Sequence, residues 1–171
     1  MIRRADERGF SLPELVMVIV VIGILAVVVS PNAALFPTMK LNAAAQRVAS
    51  DLRYAQAQAH REGGPVGLSF GSSSSYTVVR TTAKTAVADP LQPSQGLAFS
   101  TAADTRFKGV TWTWDFPSGN AILLFDSLGQ PRDDLYEVAT TPAVITLSLN
   151  GKTTTVTVEA VTGRISIGGA S

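Results

Sequence analysis

The sequence contains no cysteine and a single histidine among its 171 residues. Without thiols there is no disulfide framework, no thiolate metal site and no cysteine nucleophile. His60 has no partners at the spacing of a metal site or a catalytic triad, so we interpret it as a surface residue. The 14 basic and 13 acidic residues leave a net charge of +1, which lacks the strong positive balance of a dedicated nucleic-acid binder.

Motifs of catalysis are equally scarce. The stretch GSSSS at residues 71–75 has neither the lysine nor the flanking glycine of a phosphate-binding loop, and there is no nucleophile elbow. Asp126, Asp133 and Asp134 could join loop carbonyls around calcium, but their spacing differs from that of an EF-hand loop, and we prefer a solvated loop. We therefore expect a protein that is not an enzyme and has no cofactor and no metal ion.

What the sequence does have is a long apolar run over residues 10–30. As a helix rising ~1.5 Å per residue, it would be about 30 Å long, which matches the hydrocarbon core of a bilayer. Basic residues outnumber acidic ones before it, which predicts a cytoplasmic N-terminus and an exported remainder. The basic residues are Arg3, Arg4 and Arg8, against Asp6 and Glu7.

Three interpretations of this run compete. A secretory signal peptide needs a small-residue cleavage site after the run, and VVVSPNAALF offers no good one. A plain membrane anchor fits the length but leaves Glu14 unexplained, because an acidic group beside an apolar span costs free energy. Cleavage between Gly9 and Phe10 would make Glu14 the fifth residue, one helical turn from a new amine. There the helix dipole favours the carboxylate, which could also pair with the Phe10 amine of a neighbouring chain.

The sequence RGFSLPE at residues 8–14, followed by an apolar helix, resembles the class III signal of type IV pilins and of the pseudopilins of type II secretion systems. The resemblance implies that a prepilin peptidase cleaves after Gly9 and methylates Phe10. It also implies that Glu14 guides docking of the subunit into a filament.

Two prolines flank the apolar segment. Pro13 stands where the family usually has a branched aliphatic residue, and the first turn of a helix tolerates proline because no hydrogen bond is lost there. Pro31 resembles the proline that bends or locally melts the stem helix of many pilins, and a plain helix stop or kink explains it equally well.

A second helix is predicted over residues 41–61, where apolar residues recur at helical spacing and Gly63, Gly64 and Pro65 then end the pattern. The stripe consists of Leu41, Ala44, Ala45, Val48, Leu52, Ala55 and Ala59. Its D-L-x-x-A-x-x-x-A pattern, beginning at Asp51, resembles the helix that follows the stem in H-type pseudopilins and FimT minor pilins.

After Gly64 the pattern changes to alternation, which predicts a β domain. The expected strands cover residues 66–70, 76–81, 96–100, 107–116, 121–126, 144–149, 153–159 and 164–167. Turns are predicted at GSSSS, at Asn150-Gly151 and at Thr162-Gly163. The connections 82–95 and 127–142 are long enough to be functional loops.

Within this domain Val110, Trp112, Trp114 and Phe116 alternate with polar residues, so we expect one buried face that covers the stem helix. An interface role for the tryptophans is the alternative.

The sequences FDSLGQP at residues 125–131 and TGRI at 162–165 extend the resemblance to the H-type pseudopilin and FimT group. Some FimT-like proteins take up DNA through G-R-x-R, but here the second arginine is missing after Arg164. Lys152 and Arg132 add little positive charge, so we prefer a solvent-facing Arg164 to a nucleic-acid contact.

These observations predict an α+β fold in which a long N-terminal stem helix, half transmembrane and half amphipathic, packs on an antiparallel β-sheet head, as in pilins. The expected organisation is a leader at 1–9, a transmembrane helix at 10–30, the amphipathic half of the stem at 31–62 and a periplasmic head at 63–171.

The resemblance implies a minor pseudopilin, a structural subunit of the type II secretion pseudopilus that supports protein secretion. The alternative is a FimT-like or FimU-like minor pilin that primes a type IV pilus or binds DNA. Expected partners are other pilins through the N-terminal helix, prepilin peptidase and the inner-membrane assembly platform. The expected location is the bacterial inner membrane, with the head in the periplasm and, after assembly, in a pseudopilus or pilus.

Overall fold

The computed structural model of the chain describes residues 11–29, 35–81, 83–117, 119–133 and 135–169. The chain divides into two compact units, residues 1–33 and residues 34–171.

The first unit contains helix α1, Leu12–Val29. The Ser11 carbonyl accepts hydrogen bonds from the N–H groups of Glu14 and Leu15, at 3.0 and 3.1 Å, and so starts the helix. Pro13 lies in the first turn, where its missing N–H costs no intrahelical bond. No helix in these described ranges meets both the length and the apolarity of a membrane-spanning segment.

The second unit begins with helix α2, Leu35–Glu62. The helix predicted over residues 41–61 is confirmed and starts earlier than expected. Its apolar stripe is completely buried, and the many alanines allow strands to approach the helix closely. Gly63 then takes a left-handed conformation with φ of +67°, which is a common way to end a helix.

Two antiparallel sheets pack with α2. The strands of the first sheet are β1 Val66–Ser72, β2 Ser75–Arg80, β3 Thr85–Ala86, β4 Ala98–Ser100, β6 Ile122–Phe125 and β7 Pro131–Arg132. Their order is β3-β2-β1-β6-β7, and β4 also pairs with β2. The strands of the second sheet are β5 Thr111–Asp115, β8 Ala143–Leu149, β9 Lys152–Val158 and β10 Ile165–Ile167. Their order is β10-β9-β8-β5.

The predicted hairpins are confirmed. Strands β1 and β2 pair up to Ser72 and Ser75, across the serine-rich turn. Strands β8 and β9 pair up to Leu149 and Lys152. The two residues between them, Asn150 and Gly151, both have positive φ, at 52° and 78°, as a tight hairpin turn of the mirror-image type requires.

The prediction of a strand over residues 107–116 is wrong in its first part. Residues Thr105–Phe107 form a short 3-10 helix. Asp104 caps its N-terminus, because the Asp104 Oδ1 accepts a hydrogen bond from the backbone N–H of Arg106 at 3.0 Å. This local side-chain bond competes with strand pairing, so β5 begins only at Thr111. The long connections contain two short strands that the sequence did not indicate, β3 and β7.

Trp112 lies at the centre of the aromatic core and is 1% exposed. Its ring centroid lies 5.5 Å from that of Tyr76 and 6.1 Å from that of Phe99. Its indole N–H donates to the Ser72 carbonyl at 3.0 Å. The predicted burial of one face of β5 is confirmed, with Trp114 only partly buried. The prediction that this face covers the stem helix is not confirmed, because the strands that contact α2 most are β1, β8, β9 and β10, and β5 lies at the edge of the second sheet.

The aromatic core reaches α2 through a polar contact. The Tyr76 hydroxyl donates to the Asp51 carboxylate at 2.7 Å, and Arg47 donates to the same oxygen at 3.1 Å. Burial and the Asp51 charge together raise the pKa of Tyr76 well above its ordinary value. Asp51 of the D-L-x-x-A-x-x-x-A pattern therefore joins the helix to the sheet.

Candidate functional site

The sequence-predicted processing and assembly residues concentrate at the N-terminus. Gly9, Phe10 and Pro31 lie outside the described residues. Glu14 is exposed in the first turn of α1. It heads a groove along one face of the helix, at the spacing of successive turns, that is otherwise lined by Met17, Val18, Val21 and Ile22. One face of α1 thus carries a carboxylate followed by an apolar stripe.

In the second unit, the two weaker sequence motifs meet on α2. The Gln56 side-chain amide donates to the carbonyls of Gly129 and Gly163, at 2.8 and 3.2 Å. Gly129 belongs to FDSLGQP and Gly163 to TGRI, and both have positive φ. A Cβ atom at Gly163 would overlap the Gly129 carbonyl oxygen, so the contact between these loops requires glycine there. Arg164, which follows directly, is exposed.

Asp126 organises the loop that carries Gly129. Its Oδ1 accepts the N–H groups of Leu128 and Gln130, each at 2.9 Å, and its Oδ2 accepts Nε and Nη2 of Arg132 at 2.9 and 2.7 Å. Burial opposes the charged form, but these donors outweigh it and lower the pKa of Asp126 below its ordinary value. The carboxylate is therefore fully used within the protein.

This engagement bears on the calcium alternative. Asp126 already accepts four hydrogen bonds, two on each carboxylate oxygen. Asp134 lies outside the described residues. Within the ranges that the structure describes, no group of three or more His, Cys, Asp or Glu residues could hold a metal ion.

The connection 127–142 folds into a hairpin over residues 131–139, which we call the acidic hairpin. Arg132 and Val138 form a bridge at its base. At its tip the Asp133 Oδ1 accepts the N–H groups of Leu135 and Glu137, at 3.0 and 2.7 Å. The Arg132 guanidinium lies 5.4 Å from the ring centroid of Tyr136. These contacts hold a hairpin in which Leu135, Tyr136, Glu137 and Val138 are exposed.

A groove lies between the outer face of α2 and the loop that precedes the acidic hairpin. We call it the α2 groove; its lining residues are Arg53, Gln56, Ala57, His60, Leu128 and Gly129. His60 Nδ1 lies 2.9 Å from the Ser127 carbonyl and Arg53 Nη2 donates to the Ile165 carbonyl at 3.4 Å. The groove is thus formed where side chains of α2 bind the backbone of the loop at residues 127–129 and of the first residue of β10.

Sequence reasoning missed Gln56 and Arg53 because their partners are backbone carbonyls far along the chain, which no motif marks. It placed His60 correctly at the surface but not in contact with a loop. Asp126 did have a signal, since an aspartate three residues before a glycine is typical of a side-chain-stabilised turn.

The fold places the protein in a class: an amphipathic helix packed on antiparallel sheets, preceded by a separate apolar helix, is a pilin-like α+β architecture. The family model of the type II transport protein GspH matches residues 44–163, and that of the prokaryotic N-terminal methylation motif matches residues 4–30. The chain belongs to the GspH family. Membership implies a structural subunit that assembles with other pilin-like proteins.

Solved structures agree with this fold. The type IV minor pilin FimU of Pseudomonas aeruginosa is 18% identical, with a TM-score of 0.54 over 74% of this chain and 87% of FimU. The minor pseudopilin EpsH of the Vibrio cholerae type 2 secretion system is 14% identical, with a TM-score of 0.54 over 75% of this chain and 95% of EpsH. No curated protein sequence matches the chain significantly.

Proposed function

We propose that the protein is a minor pseudopilin, a structural subunit of a type II secretion pseudopilus that supports protein secretion. The observation that carries the proposal is the joint match of a GspH domain at residues 44–163 and a methylation motif at residues 4–30. In this proposal prepilin peptidase removes residues 1–9, cleaving after Gly9, and methylates Phe10.

Assembly proceeds through α1. Its apolar side chains from Leu12 to Leu25 are exposed. Their hydrophobic free energy is therefore available for contact with lipid or with neighbouring helices. Before assembly the helix anchors the subunit in the inner membrane, with the head in the periplasm. On the assembly platform it exchanges lipid for neighbouring helices, a transfer between similarly apolar surroundings.

Glu14 sets the register of this exchange. It heads the apolar groove of α1, and its carboxylate would pair with the Phe10 amine of a neighbouring subunit. Any other register would leave both charges without a partner among apolar side chains, which is costly. The protein thus acts by contact and not by catalysis.

The test is the intact mass of the protein from membranes of its native host, with and without prepilin peptidase. We expect loss of residues 1–9 and gain of one methyl group only when the peptidase is present. An unprocessed N-terminus in both samples would contradict the proposal. A Gly9→Val variant is the control, because it should stay unprocessed even with the peptidase.

A minor pilin of a type IV pilus is the second candidate, which the likeness to FimU supports. Deleting the gene in the native host separates the two. Loss of protein secretion with normal piliation would favour the pseudopilus, whereas loss of pili with normal secretion would favour the pilus.

A further inference from the structure

We propose that the end of the head where α2 begins is a docking surface for anionic lipid headgroups. Two apolar side chains enter the bilayer interface and three lysines bind phosphate. We call it the basal surface; its residues are Phe36, Met39, Lys40, Lys108 and Lys152. The inference rests on the proposed function, because α1 must anchor the subunit in a membrane for this surface to reach one.

The first two turns of α2 expose large apolar side chains. Phe36 is 60% exposed and Met39 is 66% exposed. Lys40 lies on the same face, because residues three and four apart are neighbours on a helix. Further along the helix, exposed positions such as Ala43 and Gln46 are small or polar. The basal surface therefore has an apolar patch on a regular helix, next to a lysine.

Three of the four lysines of the chain lie around this patch. The Lys40 Nζ donates to the Lys108 carbonyl at 3.3 Å, which places Lys108 beside the start of α2. The next residue, Gly109, lies against Leu149, whose Cδ1 would be 3.3 Å from a Cβ at that glycine. Leu149 pairs with Lys152 across the β8–β9 hairpin. Lysines from three separate segments are thus brought to one end of the head.

The positive charge of these lysines is not neutralised within the described residues. None of the three has a carboxylate partner there. The acid nearest to Lys108 along the chain, Asp104, is bound by Nε and Nη2 of Arg106, at 3.1 and 2.7 Å. The basal surface therefore keeps a positive charge that an anionic partner can neutralise.

The place of the basal surface along the chain favours a membrane as that partner. Residues 30–34 join α1 to α2, and a link of this length reaches at most about 18 Å when fully extended. With α1 anchored in the bilayer, the basal surface is therefore close to the headgroups. Apolar side chains beside lysines are typical of surfaces that bind anionic lipids.

Neighbouring helices of a filament fit this surface less well. They would cover Phe36 and Met39, but an apolar helix bundle offers no anion to the lysines. A phosphate headgroup in contact with acyl chains satisfies both kinds of side chain.

Because the chain has no cysteine, spin labels on single introduced cysteines can measure the depth of chosen positions in a bilayer. The full-length protein is reconstituted, diluted in lipid, in vesicles of phosphatidylcholine mixed with phosphatidylglycerol. Collisions with oxygen and with a water-soluble nickel chelate then give the depth. We expect the label of Met39→Cys to lie about 5–10 Å deep in the interface. Ser50→Cys, an exposed position about three turns further along α2, is the matched control and should stay in water.

Lipid charge and lysine charge separate headgroup binding from a membrane helix that only continues further along the chain. The ratio of immersed to water-exposed label at position 39 should fall by about fivefold in Lys108→Glu, as expected for the loss of one lysine contact. It should also fall in vesicles of phosphatidylcholine alone. Lys84→Glu is the matched control, because it makes the same change near Thr81, whose N–H donates to the Pro65 carbonyl beyond the opposite end of α2. It should leave the ratio unchanged.

Three results would overturn the inference. One is a label at position 39 that is as accessible to the chelate as the label at position 50. Another is an immersion that neither lipid charge nor Lys108→Glu changes, because the membrane helix would then only continue to Met39. The third is a protection that disappears on further dilution in lipid, which would identify a neighbouring helix as the partner.

A label at Ile22→Cys in α1 keeps the two proposals apart. If position 22 lies deep in the bilayer while position 39 is in water, only the docking surface is overturned. If position 22 is also in water, the result counts against the membrane anchoring that the proposed function requires.

Discussion

The two helices of the protein are both rich in apolar residues, but they use them differently. In α2 the apolar stripe faces the sheets, and residues such as Leu52 and Ala55 have no exposed surface. In α1 apolar side chains surround the helix, and the large ones described are 46–80% exposed. At about 25 cal/mol per Å² of buried apolar surface, the buried stripe of α2 contributes strongly to the stability of the head. The apolar surface of α1 gives a comparable free energy per Å² only when lipid or other helices cover it.

This difference separates two kinds of variant. A change in the buried stripe of α2 should act on the stability of the head. A change in α1 should act on insertion and assembly, and the head should unfold as before. Both tryptophans lie in the second unit, so their fluorescence reports on the head alone.

The largest effect is expected for Leu52→Ala in α2. It removes a fully buried side chain from the core and should lower the free energy of unfolding by about 4 kcal/mol through lost burial and a cavity. Urea unfolding followed by tryptophan fluorescence, in detergent micelles, measures it. Leu15→Ala, the same change in α1, should leave the curve unchanged; an equal loss would mean that α1 also stabilises the head.

Asp126→Ala should come next, at about 3 kcal/mol, because it leaves Arg132 partly buried without its carboxylate. The effect depends on pH. Since the pKa of Asp126 is below its ordinary value of 3.8 in the folded protein, its contribution is complete above that value and is lost as pH falls through the folded pKa.

Urea unfolding at pH 7 and pH 3 measures this contribution. Wild type should lose more stability on acidification than Asp126→Ala does. Asp133→Ala is the control, because Asp133 accepts backbone N–H groups at the hairpin tip but has no ion-pair partner among the described residues. Equal losses of stability between pH 7 and pH 3 in wild type and in Asp126→Ala would contradict the role of this ion pair.

The sequence predicted the parts of the head that depend on local chemistry. Helical spacing located α2, Asn150-Gly151 located the β8–β9 turn, and alternation located the buried face of β5. It did not predict the groove, because Gln56 and Gly163 are 107 residues apart and any residue supplies a carbonyl. Two-residue strands such as β7 have no period to detect.

Gly163→Ala should lower the free energy of unfolding by about 2 kcal/mol. The added Cβ would clash with the Gly129 carbonyl, and the left-handed backbone at this position would be strained as well. Gly151→Ala is the matched control. Its φ is also positive, but no atom lies within 4 Å of the added Cβ, so it should show the strain alone. Equal losses for both would mean that the two loops are not in close contact on α2.

The smallest effect is expected for Glu62→Gln, at about 0.5 kcal/mol, although its bond with Arg80 is bidentate. The hydrogen bond from Arg80 lowers the pKa of Glu62, but both side chains remain substantially exposed, so water and salt screen the pair. Unfolding at low and high salt should bring variant and wild type together as salt rises. Arg61→Gln, a neighbour without such a bond, is the control. A loss as large as that of Leu52→Ala, unaffected by salt, would mean that solvent does not screen this ion pair.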